Sequence, residues 1–161
     1  MKADNDSNGA YMLDPSSVAP LVGPNTILIY ASAPSFPQGI IDPVRALSNI
    51  AVQYGIGLHV DCCLGGFILP FARYIANTSE DGRYSADLME KCRQIPAYDF
   101  DLEGVTSMSV DTHKYGYTLK GTSVVLYKNR KLRRYQVSAL HSRLLPALGH
   151  PFLAVFADGF Y

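Results

Sequence analysis

The feature that most restricts how this chain can fold is a pair of short apolar segments on either side of a segment with helical periodicity. Residues Thr26 to Ala31 (TILIYA) are almost continuously apolar and lie between turn-forming residues, which is typical of a strand buried on both faces of a parallel sheet. Asp42 and Pro43 predict the start of a helix that extends to Gln53. Leu58 to Asp61 predicts a second strand, so the three segments form a βαβ unit.

The chain continues with two further predicted strands, Val105 to Val110 and Ser123 to Tyr127, separated by a polar and aromatic loop from Asp111 to Tyr117. The basic stretch Lys128 to Arg134 (KNRKLRR) is interpreted as the solvated face of a helix rather than as a contact for lipid phosphates or nucleic acid. Together these elements predict an α/β fold in which helices flank a mostly parallel sheet.

Composition excludes several broad classes of protein. With 161 residues, 48% apolar and 17% charged, the chain matches one globular domain and not a disordered protein. Its formal net charge of +0 argues against nucleic acid or a membrane surface bound mainly by electrostatics. No apolar run approaches the ~18 residues of a membrane-spanning helix, so the chain alone is expected to be soluble and cytosolic. Its three cysteines favour a reducing compartment and, without CxxC spacing, predict no metal site.

Several nucleotide-binding and hydrolase motifs are incomplete. The segment Gly116 to Ser123 has the glycine spacing of a P-loop, but Thr122 stands where the lysine that binds phosphate is required. Gly55 and Gly57 lack the third glycine of a dinucleotide-binding fingerprint, since Val60 takes its place. Neither GxSxG nor HExxH occurs. Nucleotide binding and the common hydrolase mechanisms are therefore excluded.

Two residues at strand ends remain as candidates for chemistry. Asp61 ends one apolar strand, and Lys114 follows another; because ligands of open α/β sheets bind outside the carboxyl ends of strands, both could face one crevice. There a lysine can form a Schiff base with an aldehyde cofactor, and a carboxylate can keep the cofactor's ring nitrogen protonated. The pattern leaves a capping aspartate and a solvated lysine open as alternatives. His59 is interpreted as a hydrogen-bonded core residue.

Three blocks of sequence together point to one enzyme family. They are Asn25 to Pro43, which contains Ser-Ala-Pro-Ser; His59 to Phe67; and Gly104 to Ser123, which contains Thr-His-Lys-Tyr-Gly-Tyr. In their order and spacing, these blocks resemble the sphingosine-1-phosphate lyases, which belong to the group II decarboxylase-like family of pyridoxal-phosphate enzymes. The resemblance covers roughly Pro15 to Gln136.

The resemblance implies part of the large domain of a fold-type I pyridoxal-phosphate enzyme that cleaves sphingosine or sphinganine 1-phosphate into a long-chain aldehyde and phosphoethanolamine. Lys114 would form the Schiff base and shuttle protons, provided that its pKa lies well below the ~10.4 of a free lysine. Asp61 would pair with the ring nitrogen of pyridoxal 5'-phosphate, and Cys63 would pack against the ring. His113 would lie near the cofactor phosphate and Ser32 near the ring hydroxyl.

The resemblance also implies an organisation of the chain. It predicts a disordered segment over residues 1–14, a partial cofactor-binding domain over 15–136 and a divergent tail over 137–161. Cys62 stands where family members usually carry alanine, and its side chain is expected to point away from the cofactor. Complete members are much longer and are homodimers, and eukaryotic members lie at the endoplasmic reticulum membrane; this chain is therefore expected to be truncated and without appreciable activity. An amino-acid decarboxylase, or a non-catalytic chain that pairs with intact subunits, is the alternative interpretation.

Overall fold

The protein is built around one mixed sheet. A computed structural model describes residues 11–36, 38–78, 82–139 and 154–155, so much of the predicted N-terminal segment and tail lies outside the described residues. In spatial order the strands are β1 (Leu28–Ser32), β2 (Gly57–Asp61), β3 (Val105–Val110), β4 (Ser123–Tyr127) and the two-residue β5 (Ala154–Val155). β1, β2 and β3 are parallel, β4 is antiparallel to β3, and β5 is parallel to β4. The predicted mostly parallel sheet is confirmed.

Helices connect and flank these strands. They are α1 (Pro15–Val18), α2 (Val44–Tyr54), α3 (Leu69–Asn77), α4 (Ala86–Arg93) and α5 (Arg130–Ala139). The predicted βαβ unit is present as β1, α2 and β2. α3 and α4 have no counterpart among the predicted elements, although Ser85 caps α4 by accepting a hydrogen bond from Leu88 N–H at 3.2 Å. In the part of the chain that the structure describes, no helix has the length and apolar character to cross a bilayer.

One face of the sheet forms the apolar core. The core residues on the strands and on α2 share a single cluster from which water is excluded. They include Ile29, Ala31, Leu58, Val60, Val105 and Met108 on the strands and Val44, Leu47 and Ala51 on α2.

β1 is buried on this face only, which corrects the prediction of a strand buried on both faces. Ile29 and Ala31 are buried, whereas Leu28 and Tyr30 are 44% and 56% exposed. Alternate residues of a strand point to opposite faces of the sheet, and the described residues leave the second face of β1 largely open to solvent. The apolar run Thr26 to Ala31 therefore predicts a strand correctly, but it does not predict that only one face of this strand is buried.

A bulge in β3 decides which side chains reach the open face. Leu58 pairs with Val105, but the next residue of β2, His59, pairs with Ser107. Thr106 is thus an extra residue on β3, and such a bulge redirects the side chains that follow it. As a result Val105 faces the core, while Ser107 lies beside His59 on the open face.

Polar side chains from three strands share the open face, because residues paired across neighbouring strands project to the same side. They are Tyr30 and Ser32 of β1, His59 and Asp61 of β2, and Ser107 and Ser109 of β3. This arrangement places a polar surface next to the carboxyl ends of the parallel strands, where ligands of α/β sheets bind.

The basic stretch after β4 is only partly a solvated surface. Lys128 donates hydrogen bonds from Nζ to the carbonyl groups of Leu102 (3.0 Å) and Glu103 (2.9 Å). This lysine therefore ties the end of β4 to the turn before β3. The helix that was expected in this stretch is α5, which begins at Arg130.

Candidate active site

Asp61, at the carboxyl end of β2, receives hydrogen bonds from three elements. Oδ1 accepts from the Ser109 hydroxyl (2.9 Å) and from Cys63 N–H (2.9 Å), and Oδ2 accepts from the Tyr30 hydroxyl (2.7 Å). Burial raises the pKa of the Asp61 carboxyl, but the hydrogen bonds outweigh burial and hold the pKa below its ordinary value. Asp61 is therefore ionised at neutral pH. Its bond to Cys63 N–H is a local turn contact, but a capping role does not explain the donors from β1 and β3.

A neutral histidine orients one of these donors. His59 Nε2 lies 3.2 Å from Ser109 Oγ, and its Nδ1 lies 2.8 Å from Ser107 Oγ. Because the Ser109 hydroxyl donates to Asp61, Nε2 must carry the ring hydrogen, and Nδ1 accepts from Ser107. Burial lowers the pKa of His59 and favours this neutral form, although Asp61 opposes the effect. His59 is hydrogen-bonded, as predicted, but it lies on the open face of the sheet and is not part of the core cluster, so its prediction as a core residue is corrected.

Lys114, in the turn after β3, forms an ion pair with Asp111. Its Nζ lies 2.9 Å from Asp111 Oδ2, while Asp111 Oδ1 accepts a hydrogen bond from Ser123 Oγ at 2.6 Å. Burial lowers the pKa of Lys114, but hydrogen bonds with Cys63 and Asp111 outweigh it and raise the pKa above its ordinary value. The lowered pKa expected for a proton shuttle is therefore not found. Lys114 is an ion-paired lysine, not a freely solvated one.

The Cys63 side chain connects Asp61 with Lys114. The Cys63 N–H donates to Asp61 Oδ1, and its thiol feels both charges, since the Lys114 ammonium lowers its pKa and the Asp61 carboxylate raises it; the two charged groups therefore lie near one small side chain. Burial raises the pKa of the Cys63 thiol, and the Lys114 ammonium only partly offsets this. The thiol is thus neutral at pH 7, and the structure brings Asp61, Cys63 and Lys114 into one group.

His113 lies beside this group, but its ring nitrogens face backbone and carboxylate. Nδ1 donates to the Thr122 carbonyl oxygen at 2.7 Å, and Nε2 lies 3.8 Å from Asp111 Oδ2. These contacts hold the loop that carries Lys114 against the start of β4. Nε2 is the ring nitrogen that a further ligand could use.

Ser32 is in register with Asp61, and a buried aspartate fixes its backbone. Asp42 Oδ2 accepts a hydrogen bond from Ser32 N–H (2.8 Å), and Oδ1 accepts one from Leu13 N–H (3.0 Å). Because the Asp42 carboxylate is used in this way, it does not cap α2, which begins at Val44 rather than at the predicted position. Asp42 instead sets the position of the segment after β1.

The small residues after Asp61 allow close packing between the turn and the sheet. A Cβ atom at Gly65 would lie 2.1 Å from the Ala33 carbonyl oxygen, and one at Gly66 would lie 2.5 Å from Val110 Cγ1. Cys62 is fully buried in the core cluster, so its side chain points away from the open face, as expected. The turn is thus held tightly while it presents Cys63 to the site.

Three side chains of the site are not among the predicted site residues. Tyr30 stands two positions before Ser32 on β1, a spacing that places both on one face of a strand. Asp111 precedes Lys114 by three residues within a turn, so its proximity could have been inferred locally. Ser109 carries no such signal, because the bulge in β3 decides its side of the sheet.

Comparison with known proteins shows similarity to one enzyme across kingdoms, although no protein-family model matches the chain. The chain is 51% identical over 116 residues to the sphingosine-1-phosphate lyase of Arabidopsis thaliana. The aligned residues make up 72% of this chain and 18% of the relative. It is 49% identical over 125 residues to the sphingosine-1-phosphate lyase of Dictyostelium discoideum, and these residues make up 78% of this chain and 21% of that relative. The chain therefore spans about a fifth of the length of the curated relatives it matches.

Solved structures show the same similarity at the level of the fold. The sphingosine-1-phosphate lyase of Burkholderia pseudomallei superposes with a TM-score of 0.63 at 43% identity, covering 78% of this chain and 25% of that one. The glutamate decarboxylase of Lactobacillus brevis superposes with a TM-score of 0.55 at 22% identity, which shows a shared fold alone. The α/β fold implied by the sequence resemblance is therefore confirmed.

Proposed function

We propose that this chain, a homologue of one segment of the sphingosine-1-phosphate lyases, supplies the cofactor-binding part of such a lyase. The reaction would break a carbon–carbon bond of a phosphorylated long-chain base and release a long-chain aldehyde and phosphoethanolamine. One structural observation carries the proposal: the Asp61 carboxylate, bound by Cys63 N–H at the end of β2, and the Lys114 ammonium in the turn after β3 are near enough for both to influence the Cys63 thiol.

The groups present fit pyridoxal phosphate by their donor and acceptor chemistry. Asp61 Oδ2 accepts one hydrogen bond against two on Oδ1, so it has acceptor capacity for the N–H of a pyridinium ring. The Lys114 side chain is 32% exposed, so its amine can reach an aldehyde. Cys63 would lie beside the ring, with His113 near the phosphate and Ser32 near the ring hydroxyl. When bound, the cofactor supplies a ring that accepts the electron pair released by bond cleavage.

Asp61 and Lys114 have separate tasks in this scheme. Asp61, held ionised by its donors, would stabilise positive charge at the ring nitrogen. Lys114 must lose a proton from Nζ before that atom can bond to carbon, and the ion pair with Asp111 holds this proton in place at neutral pH. As a free amine, Lys114 would first accept a proton from the substrate and then return that proton to the product, which closes the proton balance on one side chain.

The resemblance implies two further properties, a homodimeric state and a location at the endoplasmic reticulum membrane, which we propose for an intact protein that contains this segment. Light scattering of such a full-length protein tests the first, and cell fractionation tests the second.

Covalent labelling tests the cofactor site directly. The chain is incubated with pyridoxal phosphate, reduced with sodium borohydride, digested and analysed by mass spectrometry. We expect the phosphopyridoxyl mass on the peptide that contains Lys114, and its loss in Lys114→Arg. Lys120→Arg, which changes a lysine in the same loop, is expected to retain the label. Equal labelling of Lys114 and Lys120 would contradict a specific site.

Product analysis separates the lyase from its alternatives. Aldehyde release from sphingosine 1-phosphate supports the lyase, and release of carbon dioxide from L-aspartate or an aromatic amino acid without aldehyde supports a decarboxylase. Labelling at Lys114 without either product agrees with the expectation that this chain binds the cofactor but turns over little substrate.

A further inference from the structure

Tyr30 connects β1 to the candidate site through one short contact. Its hydroxyl donates to Asp61 Oδ2 at 2.7 Å, and its ring lies against that of His59 with centroids 5.2 Å apart. Because Tyr30 is 56% exposed, its ring contributes little to the apolar core. The hydroxyl on Asp61 is therefore the contact that gives this side chain a role beyond packing.

We propose that Tyr30 is a positioning residue for Asp61: its hydroxyl anchors Oδ2, so that the ionised carboxylate presents its remaining acceptor position to the ring nitrogen of pyridoxal phosphate. The inference rests on the proposed function, because the cofactor is what gives Asp61 a further partner. Tyr30 touches no reacting atom and acts only through Asp61.

Two sets of donors hold the Asp61 carboxylate, one at each of its oxygens. Oδ1 is held by Cys63 N–H and by the Ser109 hydroxyl, which His59 orients. Oδ2 is held by Tyr30. Loss of the Tyr30 hydroxyl would leave Oδ2 free to rotate out of the orientation that faces the open side of the sheet. It would also favour protonation of Asp61, because each donor stabilises the charged form.

The other ionisable groups around Asp61 are neutral or paired with each other, so removal of the Tyr30 hydroxyl is the change that best tests how Asp61 is held. His59, on the same strand, is neutral, and the Cys63 thiol in the following turn is neutral and only a weak donor. Asp111 and Lys114, in the loop after β3, pair with each other. β3 itself faces Asp61 with serine hydroxyls. Burial and the Asp61 carboxylate raise the pKa of the Tyr30 phenol, so it remains a donor throughout the neutral and mildly alkaline range.

The test compares Tyr30→Phe with Tyr127→Phe in the full chain. Phenylalanine keeps the ring beside His59 and removes only the hydroxyl. Tyr127 is a matched control because it pairs with Ser107 on the same face of the sheet but is not a donor to Asp61. The first measurement is a carboxyl ¹³C NMR titration of Asp61 without cofactor, assigned with Asp61→Asn. The second is the pH dependence of pyridoxal phosphate affinity.

Tyr30→Phe is expected to raise the Asp61 pKa and to move the acid limb of cofactor binding to higher pH. At pH values near the acid limb, the affinity for pyridoxal phosphate is expected to fall about tenfold, which corresponds to the loss of one hydrogen bond to a charged group. Tyr127→Phe is expected to leave both measurements unchanged. Tyr30→Leu, a second side chain without a hydroxyl, is expected to reproduce the effect if the phenylalanine variant does not fold.

Several results would overturn the proposal. They are an unchanged Asp61 pKa in Tyr30→Phe, an equal change in Tyr127→Phe, or a raised pKa with an unaltered pH profile of cofactor binding. Tighter cofactor binding by Tyr30→Phe at neutral pH would also overturn it, since the phenol would then compete with the ring nitrogen for Oδ2. If borohydride labelling shows no cofactor on Lys114 of the parent chain, the proposed function fails and the inference fails with it. Labelling of the parent without an effect of Tyr30 removes the inference alone.

Discussion

The charge state of Lys114 depends on its neighbours Cys63 and Asp111. Burial of the side chain alone would lower its pKa, which suits a nucleophile. The Asp111 carboxylate at 2.9 Å and the Cys63 thiol instead stabilise the ammonium and raise the pKa. A lysine that must bond to an aldehyde is thus stored in its unreactive form, and its reactivity increases as the pH rises.

Replacement of Asp111 tests this dependence. Asp111→Asn removes the negative charge beside Lys114, so the Lys114 pKa is expected to fall and the pH profile of cofactor capture at Lys114 to move to lower pH. The measurement is the rate of borohydride-trapped labelling between pH 6 and roughly 10, near the pKa of free lysine. Asp101→Asn, which alters an ion pair with Arg73 in another part of the protein, serves as the control. An unchanged profile in Asp111→Asn would show that Asp111 does not set the Lys114 pKa.

At the scale of secondary-structure elements, α2 and β3 are joined by a buried polar contact. Ser48, on α2 and only 2% exposed, accepts a hydrogen bond at its Oγ from Gly104 N–H at 2.9 Å. Gly104 directly precedes β3, and a Cβ there would lie 2.4 Å from the Ser48 carbonyl oxygen. This contact sets how closely the helix approaches the strand that later carries Ser109.

Ser48→Ala is expected to destabilise the protein. The substitution leaves the Gly104 N–H buried without its partner, which costs about 1–3 kcal/mol. Urea unfolding followed by circular dichroism gives the free energy of unfolding. Ser17→Ala, which changes an exposed serine in α1, should alter it far less. A free energy of unfolding that is equal in Ser48→Ala and the parent would show that water or another group replaces the contact.

The turn after β2 gives a second prediction at this scale. In Gly65→Ala the new Cβ would meet the Ala33 carbonyl oxygen at 2.1 Å, so the backbone of the turn or of the segment after β1 must move. We expect a loss of about 1–3 kcal/mol in unfolding free energy, together with weaker cofactor binding, because this turn presents Cys63. Gly23→Ala is the control, since no atom lies within 4 Å of a Cβ there. Equal stability of the two variants would contradict the packing argument.

At the scale of the whole molecule, the apolar core lies on one face of the sheet and the candidate site lies on the other. The α2 side excludes water and supplies the apolar core, whereas the open side carries the ionisable and hydroxyl groups around Asp61. Because His59, Asp61 and Asp111 have lowered pKa values and lie on or beside the open side, part of the pH dependence of stability is expected to arise there.

Acid is expected to lower the melting temperature in two steps. Burial lowers the His59 pKa below its ordinary value of 6.5, so below that pH the unfolded chain binds a proton that the folded chain does not, and stability falls. The pKa values of Asp61 and Asp111 lie below their ordinary 3.8, so their contribution is present above that value and is lost as the pH falls through the folded pKa values. Melting temperatures from pH 8 downward measure both steps. His59→Gln should flatten the first, and a first step that persists would exclude His59 as its source.

Periodicity and strand-end position predicted much of this protein. The bounds of β3 and β4 agree with the predicted segments, the βαβ unit is present, Asp61 ends β2 and Lys114 follows β3, as expected. These features depend on neighbours along the chain, since alternation of apolar residues and turn-forming residues act locally. α3 was missed because it is apolar at most positions and has no side-chain cap, so neither a helical period nor a start signal stands out, and α4 was missed because it is short and largely polar.

The sequence by itself determined that this chain forms an α/β sheet with a carboxylate and a lysine at its strand ends. Only the tertiary structure decided that Thr106 forms a bulge and that Tyr30 and Ser109 donate to Asp61. The physical reason is that side-chain direction along a strand follows from local geometry. The partners of a side chain, and therefore its charge, depend on the register between strands that are far apart in the chain.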